Sequence, residues 1–224
     1  MFLIYAFYTN NMEKQEIRTF GRRHGKKLSA RQESLVHDVL PTIAPTESEQ
    51  IDILEIGFGA GEHLCELAVT NPNKTVLGAE PFVNGVASLL SAITNDNNQI
   101  LPEFCRIRIF PNDVRLVLNL YKFELEEIWI LHPDPWPKAR HEKRRLLNSD
   151  FLNLLSAHLK PNGKIIIGTD HWEYYDWIVN QIQSTNLCQT DSTHEVIKTR
   201  YQKKNMAHTT EPKYIILTHA TQHL

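Results

Sequence analysis

Apolar and polar positions along the chain fall into short runs of alternating type, strand-like and then helix-like. Ile51-Asp52-Ile53-Leu54-Glu55-Ile56 reads as a first strand. Gly57-Phe58-Gly59-Ala60-Gly61 follows, then a helical stretch with Leu64, Leu67 and Ala68. Asn71-Pro72-Asn73 breaks that helix, and Thr75 to Ala79 makes a second strand that ends at Glu80. Val83, Val86, Leu89, Leu90 and Ile93 stand at helical spacing and predict a core-packing helix. Ile107 and Ile109 suggest a third strand, with Asn112-Asp113 at its C-terminal end. Ile128-Trp129-Ile130-Leu131 is apolar without alternation, the pattern of a strand buried on both faces of a parallel sheet. Leu146 to Leu159 predicts an amphipathic helix, and Lys160-Pro161-Asn162-Gly163 a turn into the fifth strand, Lys164 to Gly168. Thr169-Asp170 stands at its end, Trp172 to Ile182 reads as the next helix, and His194 to Ile197 with Tyr214 to Leu217 as a closing strand pair. Ahead of all this, Ser29 and Gln32 form a capping-box signal. The stripe Leu35, Val36, Val39 and Leu40 then predicts a helix that stops at Pro41. Residues up to about 28 carry no periodicity, and Gly21 and Gly25 argue for a flexible arm. The alternation predicts an α/β fold in which a largely parallel sheet has helices on both faces, with an arm over 1–28 and one domain over 29–224.

Length and charge narrow this picture. A chain of 224 residues is long enough for one substantial core, and no apolar run approaches a membrane span. Met1 to Tyr8 is apolar but lacks a basic leader and a small-residue cleavage site, so it reads as a loose arm or an over-extended start. Cys65, Cys105 and Cys188 are scattered, with no CxxC, and the histidines lack HExxH spacing. Neither a disulfide framework nor a metal site is expected, and a reducing cytoplasm fits. A net charge of −2 means that any nucleic-acid binding must come from local patches. Two exist. One comprises Lys14, Arg18, Arg22, Arg23, Lys26, Lys27 and Arg31; the other, Lys138, Arg140, Lys143, Arg144 and Arg145, opposed only by Glu142. Either alone reads as a solvated face; together, flanking a candidate catalytic sheet, they point to a phosphate-backbone surface.

The chemistry gathers in HPDPWPKARHEKRR, His132 to Arg145. Pro133, Pro135 and Pro137 stiffen the chain leaving the fourth strand and favour extended geometry in the residues before them. They frame one carboxylate, Asp134, and one large aromatic, Trp136, at the strand edge where ligands of open α/β sheets bind. The glycine-rich turn Gly57, Gly59, Gly61 lets the backbone approach a ligand at the start of a helix. Glu80, about twenty residues on, stands where a carboxylate can bind ribose hydroxyls. The spacing is GxGxG rather than GxGxxG, which suits an adenosyl ligand without a pyrophosphate. Asp113 reads both as a helix N-cap and as an acceptor for an adenine amine.

With these motifs in order, and with LKPNGKIIIGTD entering the fifth strand, the chain resembles a class I S-adenosylmethionine-dependent methyltransferase. More narrowly it is similar to the tRNA (guanine-N7)-methyltransferases. RTFGRRHGK, LEIGFGAGEHL, GAEPF, ND, HPDPWPKARHEKRRL, GTDH and TRYQ fall in that family's order over roughly residues 17 to 218. The resemblance implies a Rossmann-like methyltransferase fold with a mostly parallel seven-stranded sheet. S-adenosyl-L-methionine would be the donor, S-adenosyl-L-homocysteine the product and tRNA the partner, with no metal and a monomer or homodimer. It implies donor contacts from Glu55, Glu80 and Asp113, alongside Gly57, Gly59, Gly61 and Asn112; Asp134 as the catalytic residue and a donor contact; Lys138, Asp170, Thr199, Arg200, Tyr201 and Gln202 facing the substrate; and Arg140, His141, Lys143, Arg144 and Arg145 on the RNA. Gln202 departs from the glutamate usual at its position, keeping shape and an acceptor oxygen without the charge. Two other readings compete: an exocyclic-amine methyltransferase, against which the second proline beyond the aromatic argues, and a non-catalytic RNA-binding partner of the same fold.

Overall fold

The computed structural model describes residues 19–21, 23–190 and 212–220. Among these described residues, seven strands form one sheet in the order β3-β2-β1-β4-β5-β7-β6. They are β1 (Ile53–Ile56), β2 (Val76–Ala79), β3 (Ile107–Phe110), β4 (Leu125–Leu131), β5 (Leu159–Thr169), β6 (Leu187–Gln189) and β7 (Lys213–His219). The first five are parallel, and β7 runs antiparallel to both β5 and β6.

Alternation along the strands assigns each helix to a face. Leu54, Leu77, Ile128, Ile130, Ile165 and Ile167 face one way, packing with α4 (Val114–Leu120), α5 (Ser149–Ala157) and α6 (Trp172–Ile182). Ile53, Val76, Trp129 and Ile166 face the other way, toward the N-terminal helix α1 (Ala30–Ser34), α2 (Glu62–Thr70) and α3 (Val83–Ile93). The strands carry few polar residues because both faces are covered. The order reverses between β1 and β4, whose register pairs Glu55 with Trp129 and Ile56 with Ile130. Chain segments diverge from that point and leave a crevice at the C-terminal ends of the strands.

Several boundaries differ from expectation. Pro41 does not stop the first helix: α1 opens on the Ser29–Gln32 capping box, then continues as a π turn over Leu35–Val39 and a 3-10 turn over Leu40–Ile43. Proline is tolerated there because it stands at the start of a new, tighter turn. The helix expected from Leu146 begins at Ser149, where the Asn148 side chain accepts from Phe151 N. Lys160 to Gly163 is not a turn before β5 but part of it, an irregularity between the pairs Leu125–Leu159 and Glu127–Lys164. The strand that pairs with β7 on its outer side is Leu187–Gln189; His194 to Ile197 lies outside the described residues. The stretch before Ser29, expected as a loose arm, is tied to the start of α3 where it is described. Gly25 N donates to Asn84 Oδ1 (2.7 Å), Asn84 Nδ2 to Lys26 O (2.6 Å), and Val83 N to Arg23 O (3.1 Å).

Candidate active site

A cavity of about 330 Å3 opens at the β1–β4 switch point. Gly57, Glu80, Asp113 and Asp134 line it together, with Lys143, Arg144 and Arg145 at the side and Thr19, Phe20 and Gly21 across it. Glu55, Gly59, Gly61, Asn112, Lys138, Arg140, His141 and Asp170 are not among its lining residues. Thr199, Arg200, Tyr201 and Gln202 lie outside the described residues, as do Lys14, Arg18 and Arg22 of the basic arm.

The glycine turn is built for close approach. Gly57 has φ +74°, and a Cβ there would meet nothing within 4 Å. Gly61 precedes α2 at φ +90°, and a Cβ there would stand 2.6 Å from Leu89 Cδ1. Glu80, leaving β2, accepts from Gly59 N and Phe82 N, both at 2.8 Å. Burial pushes its carboxyl above the ordinary value; the two N–H groups pull it back, and the charges of Glu55 and Asp134 raise it further. A carboxylate offers about four lone-pair sites, so Glu80 keeps acceptor capacity beyond these two bonds. Asp113 does not. As the N-cap of α4 it accepts from Arg115 N (3.0 Å) and Arg115 Nε (2.9 Å) on one oxygen. The other oxygen accepts from Arg115 Nη2 (2.7 Å) and Thr19 Oγ1 (2.8 Å). Burial alone would raise the Asp113 carboxyl, but the Arg115 guanidinium and the Thr19 hydroxyl hold it below the usual range.

Glu55 lies on the same side of β1 as Ile53. There it is buried with Oε1 3.2 Å from His63 Nδ1, near enough for an ion pair but not aligned as a hydrogen bond. Glu55 Oε2 has no hydrogen-bond partner among the described residues. Asp170, at the end of β5, lies 3.9 Å from His132 Nδ1. Burial pushes the His132 imidazole down, and the Asp170 carboxylate opposes that.

The proline turn is more strained than the sequence suggests. His132 has φ +52° and Trp136 φ +43°, so two residues before prolines are left-handed rather than extended. Each such residue costs about 1–3 kcal/mol and persists only where its surroundings hold it. His132 N donates to Gly168 O (2.7 Å), which anchors the turn to β5. The Trp136 ring carries Arg144 over its face at 5.0 Å and His141 edge-on at 5.7 Å. Arg144 also lies over the Phe20 ring at 5.4 Å, which fastens the arm to the turn. Asp134 itself is exposed on this frame, and a Cβ on Gly21 would stand 3.9 Å from its Oδ2.

Of the basic run, Lys138, Arg140 and Lys143 are exposed and His141 and Arg144 half-buried. Arg145, expected on the RNA-facing side, is 5% exposed instead, and its guanidinium is turned onto the chain's own backbone and aromatic rings. Thr19, Phe20 and Arg115 were not singled out as site residues from the sequence. RTFGRR in the lead-in was a signal for the first two, while Arg115 reads as an ordinary residue of a helix's first turn.

A doubly wound sheet with a glycine turn after β1, an acid after β2 and an acid-bearing turn after β4 defines an α/β methyltransferase. A solved antibiotic-related methyltransferase shares the fold with a TM-score of 0.55 over 87% of this chain and 96% of its own, at 12% identity. The family model described as "putative methyltransferase" matches residues 49–221. A tRNA (guanine-N(7)-)-methyltransferase of Sphingopyxis alaskensis is 42% identical over 69% of this chain and 70% of its own. One of Caulobacter vibrioides is 40% identical over 74% of this chain and 76% of its own. The chain belongs to the tRNA (guanine-N7)-methyltransferase family.

Proposed function

We propose that this chain transfers a methyl group from S-adenosyl-L-methionine to N7 of a guanine in the variable loop of tRNA. The observation that carries the reading is that Asp134 and Glu80 share one cavity with the open face of Gly57. That cradle fits an adenosyl group: bare backbone at Gly57, and a carboxylate at Glu80 with acceptor capacity left for ribose hydroxyls. Glu55 and Asn112 stay in the proposed donor set from family resemblance, Glu55 from beneath the glycine turn. No group of three or more His, Cys, Asp or Glu that could hold a metal ion occurs among the described residues.

When bound, S-adenosylmethionine supplies an electrophilic methyl group. Guanine N7 brings a lone pair and no proton, so nothing in the protein has to act as a base. Asp134 then orients the purine by accepting from N1–H and the N2 amine, and its charge favours the positive charge that develops on the ring. The rest is alignment. Lys138, Asp170 and the segment Thr199 to Gln202 complete the guanine site. Trp136, whose ring is covered by Arg144, packs the turn. Exposed Arg140 and Lys143, with His141 and Arg144, grip the RNA backbone, a task for the cytoplasm by a monomer or homodimer. No helix among the described residues is long and apolar enough to cross a membrane.

The test is methylation of unmodified tRNA followed by nucleoside mass spectrometry. 7-Methylguanosine in the variable loop is the expected product. An N2-methylguanosine or N6-methyladenosine product would move the chain to the exocyclic-amine class, and no methylated product would favour an RNA-binding partner.

A further inference from the structure

We infer that Arg145 is a positioning residue, which holds the strained turn that carries Asp134 rather than contacting RNA. The proposal rests on the methyl transfer proposed above. Arg145 closes the 3-10 turn Ala139–Arg144, and its own N–H donates to Glu142 O (2.9 Å). Its side chain folds back under the proline turn. Nε donates to Pro135 O at 2.9 Å and Nη2 reaches Trp136 O at 3.5 Å. These are the carbonyls one and two residues after Asp134. The guanidinium stands over Trp177 at 5.2 Å and Tyr174 at 5.6 Å, both on α6. The carboxylate paired with it, Glu142 Oε1, is 3.6 Å away on a side chain 51% exposed, so no buried counter-charge among the described residues balances it. A buried cation is costly unless its donors are used, and here two carbonyls and two ring faces use them.

Why an arginine is needed follows from what the turn lacks. The Asp134 carboxylate has no hydrogen bond of its own among the described residues, so the backbone alone aims it. That backbone is left-handed at His132 and Trp136. His132 N on Gly168 O fixes the entry, and Arg145 is the polar anchor at the exit. A planar fork can reach neighbouring carbonyls while lying flat against aromatic rings; an ammonium cannot do both. The family resemblance groups Arg145 with its exposed neighbours, but burial separates them. A cation that is 5% exposed and internally bonded releases no counterion when RNA binds.

The experiment compares Arg145→Lys and Arg145→Met with Arg140→Gln in the full-length protein. Single-turnover methylation at saturating tRNA and donor is measured beside tRNA affinity across a salt series. Displacing a reacting group by about an ångström can cost on the order of a hundredfold. Arg145→Lys is therefore expected to slow the single-turnover step at least about tenfold, with tRNA affinity and its salt slope unchanged. Arg140→Gln, which removes an exposed cation, is the reference for a lost phosphate contact and should lower the salt slope by about one. Trp177→Leu removes one ring beneath the guanidinium and keeps the cation; it should slow the same step, and it serves in place of an Arg145 variant that does not fold. A salt slope reduced by about one in Arg145→Met, which removes the charge, or a rate at saturation equal to wild type in both Arg145→Lys and Trp177→Leu, would overturn the proposal. If the wild-type protein forms no 7-methylguanosine, the functional reading fails first, and the two failures are distinct.

Discussion

Replacing Thr19 by valine should tighten binding of the methyl donor. The Asp113 carboxylate accepts four hydrogen bonds, which uses its whole capacity, and one of them comes from the Thr19 hydroxyl at 2.8 Å. Arg115 supplies the other three from the first turn of the helix that Asp113 caps, so they are local and persistent. If Asp113 accepts the adenine amine, the Thr19 bond is the one that must open first. A net hydrogen bond in such a part-buried setting is worth about 1 kcal/mol, and opening it raises the apparent donor Kd about fivefold. Valine keeps the shape of threonine and removes the hydroxyl, so calorimetric titration with S-adenosylmethionine should give a Kd about fivefold lower. Asp113→Ala should act in the opposite direction, weakening the donor, and it should also lower Tm by about 2–4 °C because the N-cap of α4 is lost at a cost of about 1 kcal/mol. An unchanged or weaker Kd in Thr19→Val would mean that Asp113 caps the helix without touching the donor. The pH dependence supplies a second readout. The Asp113 carboxyl lies below its ordinary value in the folded chain, so the unfolded chain binds more protons across that window. Its contribution is complete above the unfolded pKa of about 3.9 and is lost as pH falls through the lower folded value. Melts of Asp113→Asn should therefore lose less stability on acidification than wild type.

Other substitutions probe the remaining parts of the site. Asp134→Ala should abolish methyl transfer while the donor Kd stays within about threefold, because donor contacts elsewhere are intact; near wild-type turnover would remove Asp134 from the mechanism. Charge removal at Arg140 and Lys143 together should raise the tRNA KM and flatten its salt dependence by about two in slope, with kcat retained; a fall in kcat alone would place them in the chemistry or the fold. Gly61→Ala should cost about 2–5 kcal/mol, from a left-handed φ and overpacking against Leu89, which a Tm lower by on the order of 4–20 °C would register.

Periodicity along the chain specified much of this molecule because both its signals are local. Strand residues buried on both faces must be apolar, and a helix on one face must carry a stripe, so Ile53–Ile56, Val76–Ala79 and Trp172–Ile182 could be found from neighbouring residues alone. The order of strand, glycines, helix, strand and acid likewise fixed where Gly57 and Glu80 would meet. Less local features were not legible. The Lys160–Gly163 stretch has the composition of a turn, yet pairing with β4 makes it part of a strand.

The charges divide in the same way. The sequence by itself established that a carboxylate sits in a proline-framed turn beside a run of cations, since covalent order and the fixed φ of proline require no partner. It could not say which cation is a surface one: Arg144 and Arg145 are neighbours in the chain, yet one lies between Phe20 and Trp136 and the other beneath the turn on Tyr174 and Trp177. It could not say that a threonine in the arm would fill the last lone pair of Asp113, 94 positions away. Burial and the competition of donors for one acceptor are properties of packed neighbours, and only the tertiary structure brings those neighbours together.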